Sequence, residues 1–326
     1  MPVITTEKNL DLLTLTIVAE FAAPLRRLWD AYTDPRQIER FWGPPTYPAA
    51  FLRHDAFPGG RSVYRMTGPE GDEHYGCWEW LSVDAPDAFE VTDAFADANG
   101  EPNQELPSMH MSFAFEAIEG GSRLVSTTRF EALDQLEQLI GMGMLEGTRE
   151  AMSQIDTVLA DLAAFATDHV AEAQLIGDTQ VRVARVVRGA VERVWRAHTD
   201  ADLVKRWLLG PDGWTMPVCE IAAHVGDTYR YEWENAADGE RFGFTGELVE
   251  SAEPYRSVTT ESMIGTDHPA TLNELTLTPV QGGTLLSLVI TYADAEQRDA
   301  VLASGMTAGM EMSYARLEEL LESTDA

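Results

Sequence analysis

The chain has 326 residues, about twice the size of a common domain, and its composition is that of an ordinary globular protein, with 44% hydrophobic and 24% charged residues. No apolar run approaches the roughly 20 residues that a membrane-spanning helix needs, which excludes a helical membrane protein. The net charge of −31 is divided almost evenly between the two halves, so no basic cluster is available to bind nucleic acid or an anionic membrane surface.

The two halves of the sequence repeat the same landmarks in the same order. Trp29 and Tyr32-Thr33-Asp34 return as Trp195 and His198-Thr199-Asp200, at an offset of 166 residues. The offset later becomes 162, at Met144 and Met306. A repeat of this length indicates one fold used twice and not a solenoid. We therefore predict a first domain over residues 1–166, a linker over 167–177 and a second domain over 178–326.

Each copy is predicted to begin with a strand and two short helices. Alternating apolar and polar residues predict strands over Leu13–Phe21 and Gln180–Val187. Apolar residues at helical spacing follow, and Asp34-Pro35 supplies a cap and a proline that begin the second helix of the first copy. Turn residues then separate further predicted strands, which in the first copy are Ser62–Thr67, Tyr75–Val83, Phe89–Phe95, Met109–Ile118 and Leu124–Glu131. Consecutive strands without helices between them indicate an antiparallel sheet.

The last predicted element of each copy is a long helix. Its apolar residues step by three and four from Met144 to Leu162 and from Met306 to Leu321. Because one stripe of this helix must be covered, we predict an α+β fold in which a curved antiparallel sheet wraps around the C-terminal helix. A sheet bent around one helix leaves room for a cavity between them, and a function would most naturally be located there.

Motifs for reactive chemistry are scarce. The sequence has no phosphate-binding glycine loop, no nucleophile motif and no histidine pair at metal-ligand spacing, so we expect no cofactor and no metal. Cys77 and Cys219 are read as small buried hydrophobic residues, and His198 as a core histidine. The N-terminus lacks a basic segment followed by a signal-type apolar block, from which we expect a cytoplasmic protein.

Four acidic residues on predicted strands are the candidates for catalysis. Glu79 and Glu247 occupy matching positions in the two copies, and Asp93 and Glu261 match one strand later. A carboxyl group that faces an apolar cavity has a raised pKa and could act as acid, base or hydrogen-bond acceptor. The alternative is that each acid pairs with an arginine or the backbone on the outer face of the sheet.

Aromatic residues and methionines indicate a pocket more than a reaction. Methionine is flexible and aromatic rings are flat, which suits an adaptable apolar ligand, although a filled core uses the same residues. The candidate ligand-binding residues are Trp42, Tyr64, Met66, Trp78, Phe95, Met111, Phe113, Met144, Tyr229, Tyr231, Trp233, Phe244, Met263, Leu277, Tyr292, Met306 and Met310.

The second copy resembles a known superfamily through Gly226-Asp227-Thr228-Tyr229-Arg230-Tyr231 and through Gly305-Met306 followed by Gly309. It is similar to the START-like SRPBCC proteins, in the branch named after the C-terminal domain of the activator of the ninety-kilodalton heat-shock-protein ATPase. The resemblance covers nearly all of 178–323 and, more loosely, 10–164, where a polar segment at 97–107 is unusually long. It implies two tandem helix-grip domains, each with six or seven antiparallel strands gripping a C-terminal helix. It carries no catalytic residue over to this chain.

Members of this superfamily bind lipids, hormones or polyketides, cyclise polyketides, or contact a chaperone. Three functions are therefore compatible with the resemblance. The first is non-catalytic binding of a small hydrophobic or aromatic molecule. The alternatives are a cyclase/aromatase-type enzyme and, ranked last, a chaperone-contacting module. The first copy, with Trp42, Trp78 and Trp80, is the expected specialised one. The copies could also pair with each other, or the chain could form a homodimer.

Overall fold

The computed structural model describes residues 3–161 and 169–323, and the chain divides into two compact units, Met1–Ala166 and Thr167–Ala326. Each unit is an α+β domain with one eight-stranded antiparallel sheet. None of the helices in the described ranges is both long and apolar enough to cross a membrane.

The first domain begins with a hairpin, β1 and β2, followed by two short helices. The remaining strands form a meander, and three helical segments follow it within residues 3–161. The elements are β1 (Val3–Asn9), β2 (Thr14–Phe21), α1 (Leu25–Thr33), α2 (Pro35–Ile38), β3 (Ala49–His54), β4 (Arg61–Thr67), β5 (Glu73–Asp84), β6 (Ala88–Ala96), β7 (Met109–Ile118), β8 (Gly121–Arg129), α3 (Leu133–Gly141), α4 (Met144–Ser153) and α5 (Ile155–Asp161). The strand order is β1-β2-β8-β7-β6-β5-β4-β3.

The second domain repeats this topology, with strand order β11-β12-β13-β14-β15-β16-β10-β9. Its elements are β9 (Glu172–Leu175), β10 (Gln180–Val187), α6 (Val191–Thr199), α7 (Ala201–Trp207), β11 (Trp214–Glu220), β12 (Thr228–Asn235), β13 (Arg241–Ala252), β14 (Arg256–Met263), β15 (Thr271–Val280), β16 (Gly283–Thr291), α8 (Ala295–Ala303) and α9 (Met306–Glu322). The predicted α+β class with two tandem copies is therefore confirmed.

Both sheets are wider than the six or seven strands expected. The additional edge strands are β1 in the first domain and β9 in the second. β9 lies inside the segment predicted as a linker and pairs with β10. All four of its residues are exposed, so it has no buried face to produce an alternating pattern, and that is why the sequence reasoning missed it.

The terminal helix differs between the domains. In the second domain it is one helix of 17 residues, α9. In the first domain it is divided at Gln154 into α4 and α5, and the Gln154 side-chain amide donates to the Gly43 carbonyl over 2.8 Å. Gly143 and Gly305 precede these helices with φ of 90° and 87°. Only glycine adopts this left-handed conformation without strain, which allows the sharp turn from the preceding helix. Leu162, predicted as part of the stripe, lies outside the described residues.

A bulge at the same place in each sheet decides which side chains face the helices. In β5 the bulge lies between Trp80 and Ser82, and in β13 between Leu248 and Glu250. An extra residue shifts the alternation of faces by one position. The concave face on the helix side of each sheet is the surface on which the predicted cavity would lie.

Candidate functional site

An acid on the concave face is hydrogen-bonded to a tyrosine in both domains. In the first domain, the Tyr64 hydroxyl donates to Asp93 over 3.0 Å. In the second, the Tyr229 hydroxyl shares its proton between the Thr260 carbonyl oxygen, at 3.0 Å, and Oε2 of Glu261, at 3.3 Å. Asp93 and Glu261 are the pair that the sequence comparison matched, and the structure places both on the inner side of their sheets.

A glycine directly across the strand pair makes room for each tyrosine ring. Tyr64 lies opposite Gly76, and Tyr229 lies opposite Gly246. A Cβ atom at Gly76 would clash with the Tyr64 ring, and one at Gly246 would lie 2.9 Å from Cε1 of Tyr229. Each ring therefore crosses the glycine and brings its hydroxyl to the acid on the next strand.

The interior of the first domain is filled by aromatic side chains. Trp78 is 0% exposed and Trp80 is 1% exposed. Trp42 packs edge-on against Trp78 with ring centroids 4.6 Å apart. The rings on this face belong to Trp29, Tyr32, Phe41, Trp42, Phe51, Tyr64, Trp78, Trp80, Phe89, Phe113 and Phe115. The tryptophans that suggested a specialised first copy therefore serve its packing, because Trp78 and Trp80 belong to the core and Trp42 packs against it.

Several polar groups inside the first domain form a hydrogen-bonded chain. The Trp80 indole N–H donates to the Ser62 hydroxyl over 2.8 Å, and that hydroxyl lies 2.9 Å from Nδ1 of His54. His54 Nε2 in turn lies 3.0 Å from the Tyr32 carbonyl oxygen. Paired groups of this kind hold a core in one arrangement and offer no free partner to a ligand.

The apolar side chains inside the second domain are less completely buried. Its buried residues on the concave side fall into two clusters, one around α9 and one around Trp233. Apolar side chains between and beside these clusters keep partial exposure, and Met263 is 39% exposed. The partly exposed members are Tyr231, Phe244, Met263, Leu275, Leu288, Met306 and Met310. We refer to this surface as the second-domain groove.

Glu261 is a polar side chain in the second-domain groove. It accepts hydrogen bonds from Asn273 and Tyr229, and burial nevertheless raises the pKa of its carboxyl group. The Thr271 hydroxyl donates to Oδ1 of Asn273 over 3.0 Å, which fixes the amide with its NH2 group free to donate. Burial, followed by the charge of Glu261, raises the pKa of Tyr292 to about 12. The groove thus combines apolar walls with one oriented carboxyl group.

The other two acids predicted as catalytic candidates lie elsewhere. Glu79 and Glu247 are exposed on the outer faces of β5 and β13. The sequence pattern alone did not show this, because it does not tell which face of each strand is inward. Within the described residues, no group of three or more histidine, cysteine or acidic side chains could hold a metal ion.

The remaining predicted ligand-binding residues divide between core and groove. Met111 and Phe113 belong to the buried core of the first domain, and Met66, Phe95 and Met144 pack against that core. In the second domain, Tyr229, Trp233, Leu277 and Tyr292 are buried, whereas Tyr231, Phe244, Met306 and Met310 are partly exposed.

Sequence reasoning missed the residues that orient the acids. Asn273 stands at an inward position in β15, in line with Leu275 and Leu277. A polar residue at an otherwise apolar position of an alternating strand was the available signal. Gly76 and Gly246 gave a second signal, because a glycine inside a strand often marks a close approach of another group.

A separate polar cleft of about 940 Å³ lies on the outer face of the first domain. Its lining includes Arg61, Cys77 and Glu79, together with residues of the polar segment that the sequence analysis noted. Arg61 donates to the Gly100 carbonyl over 2.8 Å, which ties this segment to the sheet. Burial raises the pKa of the Cys77 thiol, so the sulfur is poorly reactive.

The family model described as activator of Hsp90 ATPase homolog 1-like protein matches residues 22–160 and 189–322. The chain belongs to this family. The two matches cover one activator-homolog copy in each domain, which confirms the resemblance found in the sequence. No protein in the curated set matches the chain.

Several solved structures are similar to a single activator-homolog copy. A crystal structure of a Mycobacterium smegmatis protein is 45% identical and covers 48% of this chain and 97% of its own, with a TM-score of 0.46. A solution structure of an Arthrobacter aurescens protein is 42% identical, with coverages of 48% and 92% and a TM-score of 0.47. A Rhodobacter sphaeroides protein is 32% identical, with coverages of 48% and 99% and a TM-score of 0.44.

Proposed function

We propose that the second domain binds a small hydrophobic or aromatic molecule in the second-domain groove, and that the first domain is a filled scaffold. The observation that carries this proposal is the difference between the two interiors. At equivalent places, the first domain has Phe113, which is 1% exposed, and the second has the smaller, partly exposed Leu275. Partly exposed apolar surface in a concave site is the usual feature of a small-molecule pocket.

The test uses the full chain and the neutral fluorescent probe N-phenyl-1-naphthylamine. We expect one bound probe per chain. Leu275→Phe copies the bulk of the first domain into the groove and should weaken binding about tenfold or more, because overpacking a fitted apolar site costs roughly 1–3 kcal/mol. Phe113→Leu is the matched control in the first domain and should leave the affinity unchanged. Binding that Leu275→Phe leaves intact would contradict the proposal.

Proton transfer on the bound molecule, as in a cyclase/aromatase-type enzyme, is a second candidate function. The observation in its favour is the raised pKa of Glu261 beside the Tyr229 hydroxyl. Its test is conversion of a poly-β-ketone chain by the full protein, followed by mass spectrometry. Equal conversion by wild type and Glu261→Gln would remove this candidate.

A further inference from the structure

We propose that the molecule held in the second-domain groove carries a protonated amine, which binds between the Glu261 carboxylate and the aromatic rings of Tyr231 and Phe244. This inference rests on the proposed function, since it specifies the chemical class of the ligand at the same site.

The first step is the charge at Glu261. The hydrogen-bond donors to this carboxyl group, Tyr229 and Asn273, are both neutral. The other carboxylates that face the sheet from α9, Glu311 and Glu318, form ion pairs with Arg185 at 3.4 and 2.7 Å. Across the part of the chain that the structure describes, Glu261 forms no ion pair. A carboxylate with oriented neutral donors and no cation leaves its charge available to a ligand.

The second step is the aromatic surface beside it. Tyr231 lies opposite Phe244 across β12 and β13, and Phe244 lies opposite Met263 on β14, two residues from Glu261. The ring centroids of Tyr229 and Tyr231 are 5.0 Å apart. Aromatic faces carry negative potential and attract ammonium groups, most strongly where water is partly excluded. Carboxylate and rings therefore favour the same ligand group, a cation on an apolar body.

The third step is the contrast with the first domain. Asp93 occupies the equivalent position, but it is only 8% exposed, lies opposite Trp78 across the strand pair and is hydrogen-bonded to Tyr64. It accepts a hydrogen bond from Tyr64 over 3.0 Å, but the acid itself is buried, whereas Glu261 keeps partial exposure. The first domain thus preserves the acid–tyrosine pair without access, and amine recognition is assigned to the second domain alone.

The experiment compares three naphthalene probes that differ only in their polar group: 2-naphthylmethylamine, 2-naphthylmethanol and 2-naphthoate. Calorimetric titration of the full chain at about pH 7.5 keeps the amine protonated. We expect the amine to bind about tenfold more tightly than the alcohol, and the naphthoate to bind most weakly. Glu261→Gln should reduce the amine to the affinity of the alcohol.

Glu247→Gln is the matched control, because it removes the same charge from an exposed position on the outer face. It should preserve the preference for the amine. Tyr231→Leu provides a second variant in case Glu261→Gln does not fold, and it should weaken the amine more than the alcohol.

Four results would overturn the inference. If the alcohol binds as tightly as the amine, or if the preference survives Glu261→Gln, the amine proposal fails while the proposed function stands. If the naphthoate binds most tightly, the carboxyl group acts as a protonated donor and the amine proposal also fails. If none of the probes, N-phenyl-1-naphthylamine included, binds to folded wild-type protein, both proposals fail together.

Discussion

Asp93 should make the stability of the first domain fall as pH rises. Burial raises the pKa of this carboxyl group from 3.8 to about 6, although hydrogen bonds from Tyr64 and Trp78 oppose the shift. The folded domain therefore holds a proton that the unfolded chain has already released between about pH 4 and pH 6. In this window the unfolded state binds fewer protons than the folded state, so the free energy of unfolding decreases with rising pH.

The magnitude follows from the size of the shift. A difference of about two pKa units corresponds to about 3 kcal/mol, of which a little under half falls between about pH 5 and pH 7. Asp93→Asn removes this titration. The wild type should lose roughly 1.3 kcal/mol more than the variant over that interval, whatever constant offset the amide itself introduces.

Urea-dependent hydrogen exchange read by mass spectrometry can measure this loss on peptides of β5 and β6 alone. This readout separates the first domain from the second within the full chain. Comparing wild type with Asp93→Asn at each pH cancels the intrinsic pH dependence of exchange and the contributions of all other carboxyl groups. If the free energy of unfolding depends on pH equally in the two proteins, the pKa of Asp93 is not raised in the folded state.

Three further predictions concern packing and the second domain. Trp78→Ala should destabilise the first domain by about 3–5 kcal/mol, because the ring is fully buried, and the same exchange measurement will report it. Gly246→Ala should lower the thermal stability of the second domain by an amount corresponding to roughly 1–3 kcal/mol. The added Cβ atom would clash with the Thr260 carbonyl and press on Tyr229. An unchanged melting temperature would show that Tyr229 does not pack closely over Gly246. Burial lowers the pKa of His198 to about 4 despite its hydrogen bond to the Val194 carbonyl, so the second domain should lose stability as pH falls from about 6.5 towards 4. The His198 ring signals in NMR spectra should not titrate above pH 5, and a midpoint near pH 6.5 would contradict this.

Much of the fold could be predicted from the sequence, because each strand with one buried face alternates in polarity. The bounds of β7 and β10 agree with the prediction residue for residue. β1 and β9 lie at sheet edges and are largely polar, so no alternation marked them. Edge strands gain hydrogen bonds on one side without burying a face, and their formation depends on a neighbour that local sequence does not reveal.

The site was less predictable, because its properties arise between strands. Asp93 and Glu261 were identified together with Glu79 and Glu247, and nothing in the local pattern separated the inward pair from the outward pair. The hydrogen bond of Tyr229 to Glu261 depends on residues 32 apart in sequence and on the absence of a side chain at Gly246. Whether an aromatic residue fills a core or lines a groove depends on the volumes of its neighbours on other strands.

Gly76 and Trp78 on β5 correspond to Phe244 and Gly246 on β13, so the two copies place a small and a large residue in opposite order on the same strand. Reversing this order relocates the bulky ring and leaves the backbone course of the sheet in place. After a gene duplication, exchanges of this kind change how the interior of one copy is filled while its fold is kept. The duplicated chain is therefore suited to engineering, in which exchanging such residue pairs between the domains would change which interior is more tightly packed.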